Sequence, residues 1–108
     1  MTQDYQEIDR KWFENHPGRS HYIRRFIDGE QAPGREAGQW IAVRQVAPGI
    51  RMRLGFGVLD DGGFFDAAQT DEGAKLLFDM ALDAAGEQAA RMLALLKEAA
   101  FKRDGVRP

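Results

Sequence analysis

The stretch Gln39–Val58, QWIAVRQVAPGIRMRLGFGV, decides the fold because two alternating runs flank one turn signal. Such alternation is typical of half-buried strands, and Pro48-Gly49 between the runs predicts an antiparallel hairpin. The cross-strand pairs predicted on the core face are Ala47 with Ile50, Gln45 with Met52, Val43 with Leu54 and Ile41 with Phe56. The pairs predicted on the other face are Val46 with Arg51, Arg44 with Arg53, Ala42 with Gly55 and Trp40 with Gly57. This second face is therefore predicted to be basic, with one tryptophan.

Two shorter elements precede the hairpin. Residues 4–15 have the spacing of an amphipathic helix whose core-facing side chains would be Tyr5, Ile8, Trp12 and Phe13. The helix is predicted to end at Asn15-His16-Pro17-Gly18, because the residue before a proline is pushed out of the helical region. Residues 20–28 alternate and predict a strand, with His21, Ile23, Arg25 and Ile27 on one side and Tyr22, Arg24 and Phe26 on the other. Residues 28–39 predict a loop rich in glycine, proline and charge.

Downstream of the hairpin, Asp61-Gly62 predicts a tight turn into a short fourth strand through Phe64-Phe65. From residue 70 or 71, which would cap it, to about Arg103 nearly all residues are helix formers. A straight helix of that length would extend roughly 50 Å, whereas a compact 100-residue domain has a radius of gyration of about 13 Å. We therefore expect a bend near Ala85-Gly86 or a partner outside the domain.

These elements predict an α+β fold in a single domain over residues 1–108. The architecture would be an N-terminal helix, a three- to four-stranded antiparallel sheet, and a long or bent C-terminal helix packed on one sheet face. The predicted core consists of Trp12, Phe13, Ile41, Val43, Met52, Leu54, Phe56 and the leucines of the C-terminal helix.

Composition excludes several classes of protein. The chain has no cysteine, which rules out disulfides, thiolate metal sites and a cysteine nucleophile. No run approaches the roughly 20 apolar residues of a membrane span, and MTQDYQEIDRKWF at the start lacks the apolar core of a secretory signal. We expect a cytoplasmic protein with no membrane partner.

Residues suited to catalysis are few. Ser20 is the only serine, and His16 and His21 are the only histidines. Neighbours on a strand point to opposite faces, so Ser20 and His21 are not expected to meet as nucleophile and base. Two histidines do not make a metal site, and the acids in DDGGFFD, residues 60–66, lack the spacing of an EF-hand loop. No catalytic residue, metal site or cofactor is predicted, and the chain is expected not to be an enzyme.

Arginine is concentrated in the middle of the chain. Residues 16–58 hold seven arginines and three acidic residues, although the whole chain has a net charge of −2. An arginine-rich sheet face would hold phosphates while Trp40 or Tyr22 stacks on a base. Alternatively, Arg44, Arg51 and Arg53 would pair with acids of the terminal helices. The candidate binding residues are Arg19, His21, Arg24, Trp40, Arg44, Arg51 and Arg53.

The favoured function is a small non-enzymatic binding or regulatory module that acts through protein–protein contacts. A homodimer is the expected partner arrangement, because the small residues around Ala85 and Ala89 would let another helix approach closely. The first alternative is a nucleic-acid-binding protein that uses the arginine-rich sheet face. The second is an enzyme for a small anionic substrate, with His16 or His21 as acid–base and the arginines as anion clamps.

Two motifs carry a resemblance to a group of proteins. Residues 9–30, DRKWFENHPGRSHYIRRFIDGE, and residues 40–56, WIAVRQVAPGIRMRLGF, resemble short uncharacterised bacterial proteins with the pattern DRxWFxxxPxRxxxxR and PGE, then VRQxxPGxR. The matching positions are Asp9, Arg10, Trp12, Phe13, Pro17, Arg19, Arg24, Val43, Arg44, Gln45, Pro48, Gly49 and Arg51. Asp28 stands where that pattern has a proline. The resemblance implies a small bacterial or mobile-element protein and no activity.

Overall fold

The structure, a computed structural model, describes residues 5–26, 37–59 and 66–104. Its elements are helix α1 (Tyr5–Asn15), strands β1 (His21–Phe26), β2 (Ala37–Ala47) and β3 (Ile50–Leu59), and helices α2 (Asp71–Ala85) and α3 (Glu87–Asp104). The strands form one antiparallel sheet in the order β1-β2-β3. The predicted α+β class is confirmed. Phe64-Phe65 and most of the predicted loop before β2 lie outside the described residues.

The hairpin turns at Pro48-Gly49 as predicted, but its register differs from the prediction. Ala47 pairs with Ile50, and the next pair is Gln45 with Arg51, which leaves Val46 as a bulge. Beyond it, Arg44 pairs with Met52, Val43 with Arg53 and Ala42 with Leu54. The pairs predicted beyond the turn are therefore wrong. One extra residue on one strand shifts the register by one, and this changes which side chains share a face.

The sheet has a hydrophobic core on each face. On one face Ala42, Met52 and Leu54 pack against Phe78, Ala81 and Leu93 of α2 and α3. On the other face Val43 and Tyr22 pack against Phe13 of α1. The sequence analysis assigned Trp12, Phe13, Ile41, Val43, Met52, Leu54 and Phe56 to one core, whereas the bulge divides them between the two. The helix leucines also divide, because Leu77 and Leu93 are buried while Leu76 and Leu95 are exposed.

Helix α1 ends at Asn15 as predicted, but it turns a different side toward the sheet. Asp9 is fully buried and Phe13 is nearly so, whereas Ile8 is 40% exposed. The prediction that Ile8 faces the core is therefore wrong. Tyr5, Asp9 and Phe13 lie four residues apart and so share one face of the helix. The polar Asp9 takes the inward position because the sheet supplies hydrogen-bond donors there.

The C-terminal helices are joined at a sharp bend. Thr70 caps α2, since its side-chain oxygen accepts a hydrogen bond from the Gly73 N–H at 3.0 Å. Gly86 separates α2 from α3 with φ 92° and ψ −165°, a region of backbone space that is essentially restricted to glycine. The predicted bend at Ala85-Gly86 is confirmed. Among the described residues no helix combines the length and apolarity needed to cross a membrane.

Gly73 allows a close backbone approach in the first turn of α2. A Cβ atom added there would lie 1.8 Å from the carbonyl oxygen of Ala67. The chain before α2 therefore folds back onto the helix start. This contact places Ala68 and Gln69 beside Arg19, whose guanidinium donates to both of their carbonyl oxygens.

Candidate functional site

One row of side chains crosses the sheet beneath α1. Tyr22 pairs with Val43 and Val43 pairs with Arg53, so all three share a face across the three strands. Arg24, two residues along β1 from Tyr22, lies on that face as well. Asp9 of α1 lies over this row. The corrected register thus brings two arginines and a tyrosine to one aspartate.

The Asp9 carboxylate accepts hydrogen bonds on both of its oxygens. Arg24 Nε donates to Oδ1 at 2.8 Å, and Arg24 Nη2 donates to Oδ2 at 3.3 Å. The Tyr22 hydroxyl also donates to Oδ1, and Arg53 Nε donates to Oδ2. Charge-assisted bonds of this kind are the strong ones in proteins. We call these four residues, Asp9, Tyr22, Arg24 and Arg53, the Asp9 cluster.

Asp9, Tyr22 and Arg24 have pKa values that move away from neutral pH. Burial alone would raise the pKa of Asp9, but the hydrogen bonds from Arg24, Tyr22 and Arg53 outweigh it and hold that pKa below its usual range. Burial and the bond to Asp9 raise the pKa of the Tyr22 phenol above its usual range. Burial alone would lower the pKa of Arg24, but Asp9 raises it overall. The cluster therefore holds its charges and protons in place, and its role is to anchor α1 on the sheet.

The predicted basic sheet face with one tryptophan does not form, because the bulge separates its members. Trp40 and Arg44 lie with Ala42 on the side of α2 and α3, whereas Arg51 and Arg53 lie on the side of α1. Trp40 and Tyr22 are each only 4% exposed, so neither ring presents an open face for a base. Arg53 pairs with Asp9 and Arg51 donates to the Gln45 side chain at 2.9 Å. The alternative that terminal-helix acids pair with these arginines is confirmed for Arg53.

Ser20 and His21 do meet, contrary to the sequence-based argument. The Ser20 Oγ and His21 Nδ1 atoms are 2.8 Å apart, and Asp71 accepts hydrogen bonds from the N–H groups of both residues at 2.8 Å. Strand alternation did not apply because Ser20 precedes β1.

This trio lacks the geometry of a catalytic triad, in which serine and aspartate use opposite ring nitrogens of the histidine. Here Ser20 Oγ and Asp71 Oδ1 both approach Nδ1, the aspartate at 3.8 Å. His21 Nε2 is buried with no hydrogen-bond partner among the described residues. Burial alone would raise the pKa of Asp71, but the N–H groups of Ser20 and His21 bring it below its usual range. Asp71 therefore serves to fasten the start of β1 to the start of α2.

A cavity of about 390 Å³ lies along the outer edge of β1. Its lining residues are Trp12, His16, Arg19, Tyr22, Ile23, Arg24, Trp40, Ala68 and Gln69. The Trp12 ring stacks on His16 and on Tyr22, with ring centroids 4.0 and 4.1 Å away. The Arg19 guanidinium lies 4.9 Å from the Trp12 ring centroid. We call this the β1-edge cavity.

A second hollow of about 460 Å³ lies at the bend between α2 and α3. Asp79, Asp83 and Glu87 line it, together with Leu82, Gly86 and Ala90. Within residues 5–26, 37–59 and 66–104, no three histidine or acidic side chains are grouped as metal ligands would be. The hollow is therefore an acidic surface feature.

The outward sides of α2 and α3 expose several large apolar side chains. Leu76 and Met80 on α2 are 60% and 55% exposed, and Met92 and Leu95 on α3 are 50% and 60% exposed. Soluble proteins commonly expose single apolar residues, but four on two adjoining helices form a feature that calls for an explanation. We call these four residues the outer helix surface.

The structure divides the seven predicted binding residues. Arg24 and Arg53 meet at Asp9, and Arg19, Arg24 and Trp40 line the β1-edge cavity. His21 packs against Phe78 in the core, and Arg44 lies on the opposite face from Arg53.

Sequence reasoning missed the roles of Asp9 and Asp71. A signal for Asp9 exists in its spacing of four from both Tyr5 and Phe13, which puts a carboxylate on an otherwise aromatic helix face. No local signal exists for Asp71, whose partners lie 50 and 51 residues away along the chain.

Comparisons of the chain with protein-family models, with curated proteins and with solved structures found no match. The function is therefore argued from the geometry of these surfaces.

Proposed function

We propose that this protein is a non-enzymatic binding module that acts through protein–protein contacts, and that its partner at the outer helix surface is a second copy of the chain. The observation that carries the proposal is the exposure of Leu76, Met80, Met92 and Leu95, each at least half in solvent. Covering such side chains removes apolar surface from water, which is favourable by about 25 cal/mol of free energy per Å² buried. An apolar surface on two neighbouring helices is typical of an interaction site.

Charge distribution favours a second copy as the occupant. Helix α2 carries four acidic residues and one lysine, whereas α3 carries four basic and three acidic residues. In a two-fold dimer with α2 of one copy against α3 of the other, the acidic α2 would lie against the more basic α3 of the second chain. Each contact would occur twice by symmetry, so a patch of moderate size on one chain would bury twice its area in the dimer.

A non-enzymatic role is supported by the chemistry of the polar clusters. Both oxygens of Asp9 are occupied by hydrogen bonds, and the Tyr22 proton is held by Asp9. In the Ser20, His21 and Asp71 trio the serine and the aspartate compete for one ring nitrogen. The Ser20 hydroxyl can also donate to Asp71 Oδ2 at 3.2 Å, so neither cluster has the serine and aspartate on opposite ring nitrogens as a catalytic triad requires.

Sedimentation equilibrium over a range of protein concentrations tests the proposal directly. The 12.1 kDa chain is expected to sediment at twice that mass. The double variant Leu76→Glu and Leu95→Glu is expected to be a monomer, because it places two charges where apolar contact is proposed. Ala94→Glu is the matched control, since it adds a charge to an exposed position of α3 outside the outer helix surface.

The possible results separate the candidate functions. A monomeric wild type at every concentration, or a double variant that dimerises as the wild type does, overturns the proposed self-association. A mixed pool of short oligonucleotides added to the same samples tests the alternative of nucleic-acid binding. Salt-sensitive co-sedimentation of the oligonucleotides with the wild type would favour that alternative.

A further inference from the structure

We infer that the β1-edge cavity is a binding site for a small organic acid with a flat apolar body and one carboxylate. Nothing in the proposed self-association requires this site, because the cavity is lined by α1, β1, β2 and the chain before α2, whereas the outer helix surface lies on α2 and α3. The inference goes beyond the proposed function and rests on the charge, the unsatisfied donors and the shape of the cavity.

The charge of the lining favours an anion. Its ionisable side chains are Arg19, Arg24, His16 and the protonated Tyr22, and no acidic residue lines the cavity among the described residues. Behind the wall, Asp9 is shared between Arg24 and Arg53, so that cluster keeps one positive charge in excess. Arg19 is paired with Asp71 at 3.5 Å, so the uncompensated positive charge comes from Arg24 and Arg53, which share one carboxylate. An anionic group entering the cavity would meet a complementary potential from that charge.

Arg24 also has hydrogen-bonding capacity in reserve. Its Nε and Nη2 atoms donate to Asp9, while the buried Nη1 has no partner among the described residues. A guanidinium donates in a planar fork that matches the two oxygens of a carboxylate. A ligand carboxylate that reaches Nη1 would satisfy this donor, whose lack of a partner is otherwise costly, while Nε and Nη2 stay on Asp9.

Flat rings provide the apolar part of the site. The accessible aromatic surface comes from the half-buried Trp12, and Ile23 contributes an aliphatic wall. Tyr22 and Trp40 also line the cavity, but each is only 4% exposed. The volume of about 390 Å³ lies near the lower end of the range of about 300–1,000 Å³ that is usual for ligand pockets. A single-ring acid fits this size, and the aromatic walls favour a planar body.

Intrinsic tryptophan fluorescence gives a direct measurement, because Trp12 and Trp40 are the only tryptophans of the chain and both line the cavity. The probe is trans-cinnamate, with the neutral isostere cinnamamide and the ring-free anion acetate as comparisons. Cinnamate is expected to change the fluorescence in a saturable way. Both comparisons are expected to bind at least about tenfold more weakly, because each lacks the charge or the apolar body.

A blocking variant makes the test specific to this cavity. Replacing Arg24 would remove hydrogen bonds to Asp9 and threaten folding. Ala68→Phe is the better change, because it fills the cavity and the alanine side chain makes no hydrogen bond that would be lost. Ala94→Phe, at an exposed position of α3 outside the cavity, is the matched control. Cinnamate affinity is expected to fall at least tenfold in Ala68→Phe and to stay within twofold of the wild type in Ala94→Phe.

Three results would overturn the inference: no saturable response to cinnamate, equal affinity for cinnamamide, or unchanged affinity in Ala68→Phe with the fold intact by circular dichroism. The double variant Leu76→Glu and Leu95→Glu separates the two proposals, since it is expected to bind cinnamate as the wild type does. If this double variant is a monomer that still binds cinnamate, both proposals are supported. If the wild type is a dimer that binds no cinnamate, the cavity inference alone is contradicted.

Discussion

The two faces of the sheet are covered in different ways. Toward α2 and α3 the contacts are apolar, with Phe78 fully buried among Ala42, Met52 and Leu54. Toward α1 a small aromatic cluster around Phe13 and Val43 lies beside the Asp9 cluster. Burial of apolar surface thus holds most of α2 and α3 on the sheet, whereas charged hydrogen bonds hold the short helix α1.

The difference teaches how each layer is positioned. Apolar burial has no preferred direction, so α2 and α3 are held along most of their length where their side chains fill space well. Directional hydrogen bonds on this side are made at the start of α2, from the N–H groups of Ser20 and His21 to Asp71. Charge-assisted hydrogen bonds are directional, and the bonds to Asp9 specify one orientation of the 11-residue α1. The two faces should therefore respond differently to substitution and to pH.

Phe78→Ala is expected to have the largest effect. Removing a fully buried ring from the α2 side leaves a cavity, which typically costs about 3–5 kcal/mol of the free energy of unfolding. Urea denaturation of the variant and the wild type measures the difference. A loss below about 1 kcal/mol would show that this side is not the main apolar core.

Asp9→Asn is expected to cost about 3 kcal/mol, at the low end of the range for breaking a buried ion pair. The low end applies because the Arg53 side chain is still 28% exposed, so water screens part of its uncompensated charge. Denaturation of Asp9→Asn beside Glu14→Gln, an exposed acid of the same helix, provides the control. Equal stability of both variants would break the proposed contrast between the two faces.

Tyr22→Phe is expected to cost about 1.5 kcal/mol, because it removes a hydrogen bond to a charged group and keeps the aromatic packing. The effect should be smaller when Asp9 is already Asn, because the amide oxygen accepts a weaker, uncharged hydrogen bond, and a double-variant cycle measures that coupling. Additive losses from Tyr22→Phe and Asp9→Asn would indicate that the hydroxyl does not act through Asp9.

Acid is expected to destabilise the protein in two separate pH windows. Burial lowers the pKa of His21 below 6.5, Asp71 opposes this shift, and Arg44 adds to it. As the pH falls below 6.5, His21 becomes protonated in the unfolded chain but stays neutral in the native protein. The free energy of unfolding therefore falls by no more than about 1.4 kcal/mol per pH unit.

The second window begins lower, because the pKa values of Asp9 and Asp71 both lie below their ordinary value of 3.8 and their contributions are complete above that pH. Denaturation midpoints across both windows are the measurement. His21→Asn should abolish the first loss and Asp9→Asn should reduce the second. A wild-type midpoint that is constant from neutral pH to about pH 5 would contradict the assignment to His21.

Sequence patterns predicted the elements better than the site. The hairpin turn, the end of α1, the Thr70 cap and the bend at Gly86 each depend on residues next to one another, and each was confirmed. The side of α1 that faces the sheet was wrong because Ile8 is more apolar than Asp9. Hydrophobicity ranks a lone carboxylate as exposed, whereas a carboxylate with several donors is stable when buried.

The sequence by itself determined an α+β chain with a hairpin at Pro48-Gly49 and a broken C-terminal helix, since turn chemistry and periodicity are local properties. Only the tertiary structure decided that Val46 bulges, and this single residue moved Arg44 and Arg53 to opposite faces. It also decided that Asp9 meets Arg24 and Arg53, and that both tryptophans share one cavity. Those contacts join residues far apart along the chain, so their energies arise only when the layers pack together.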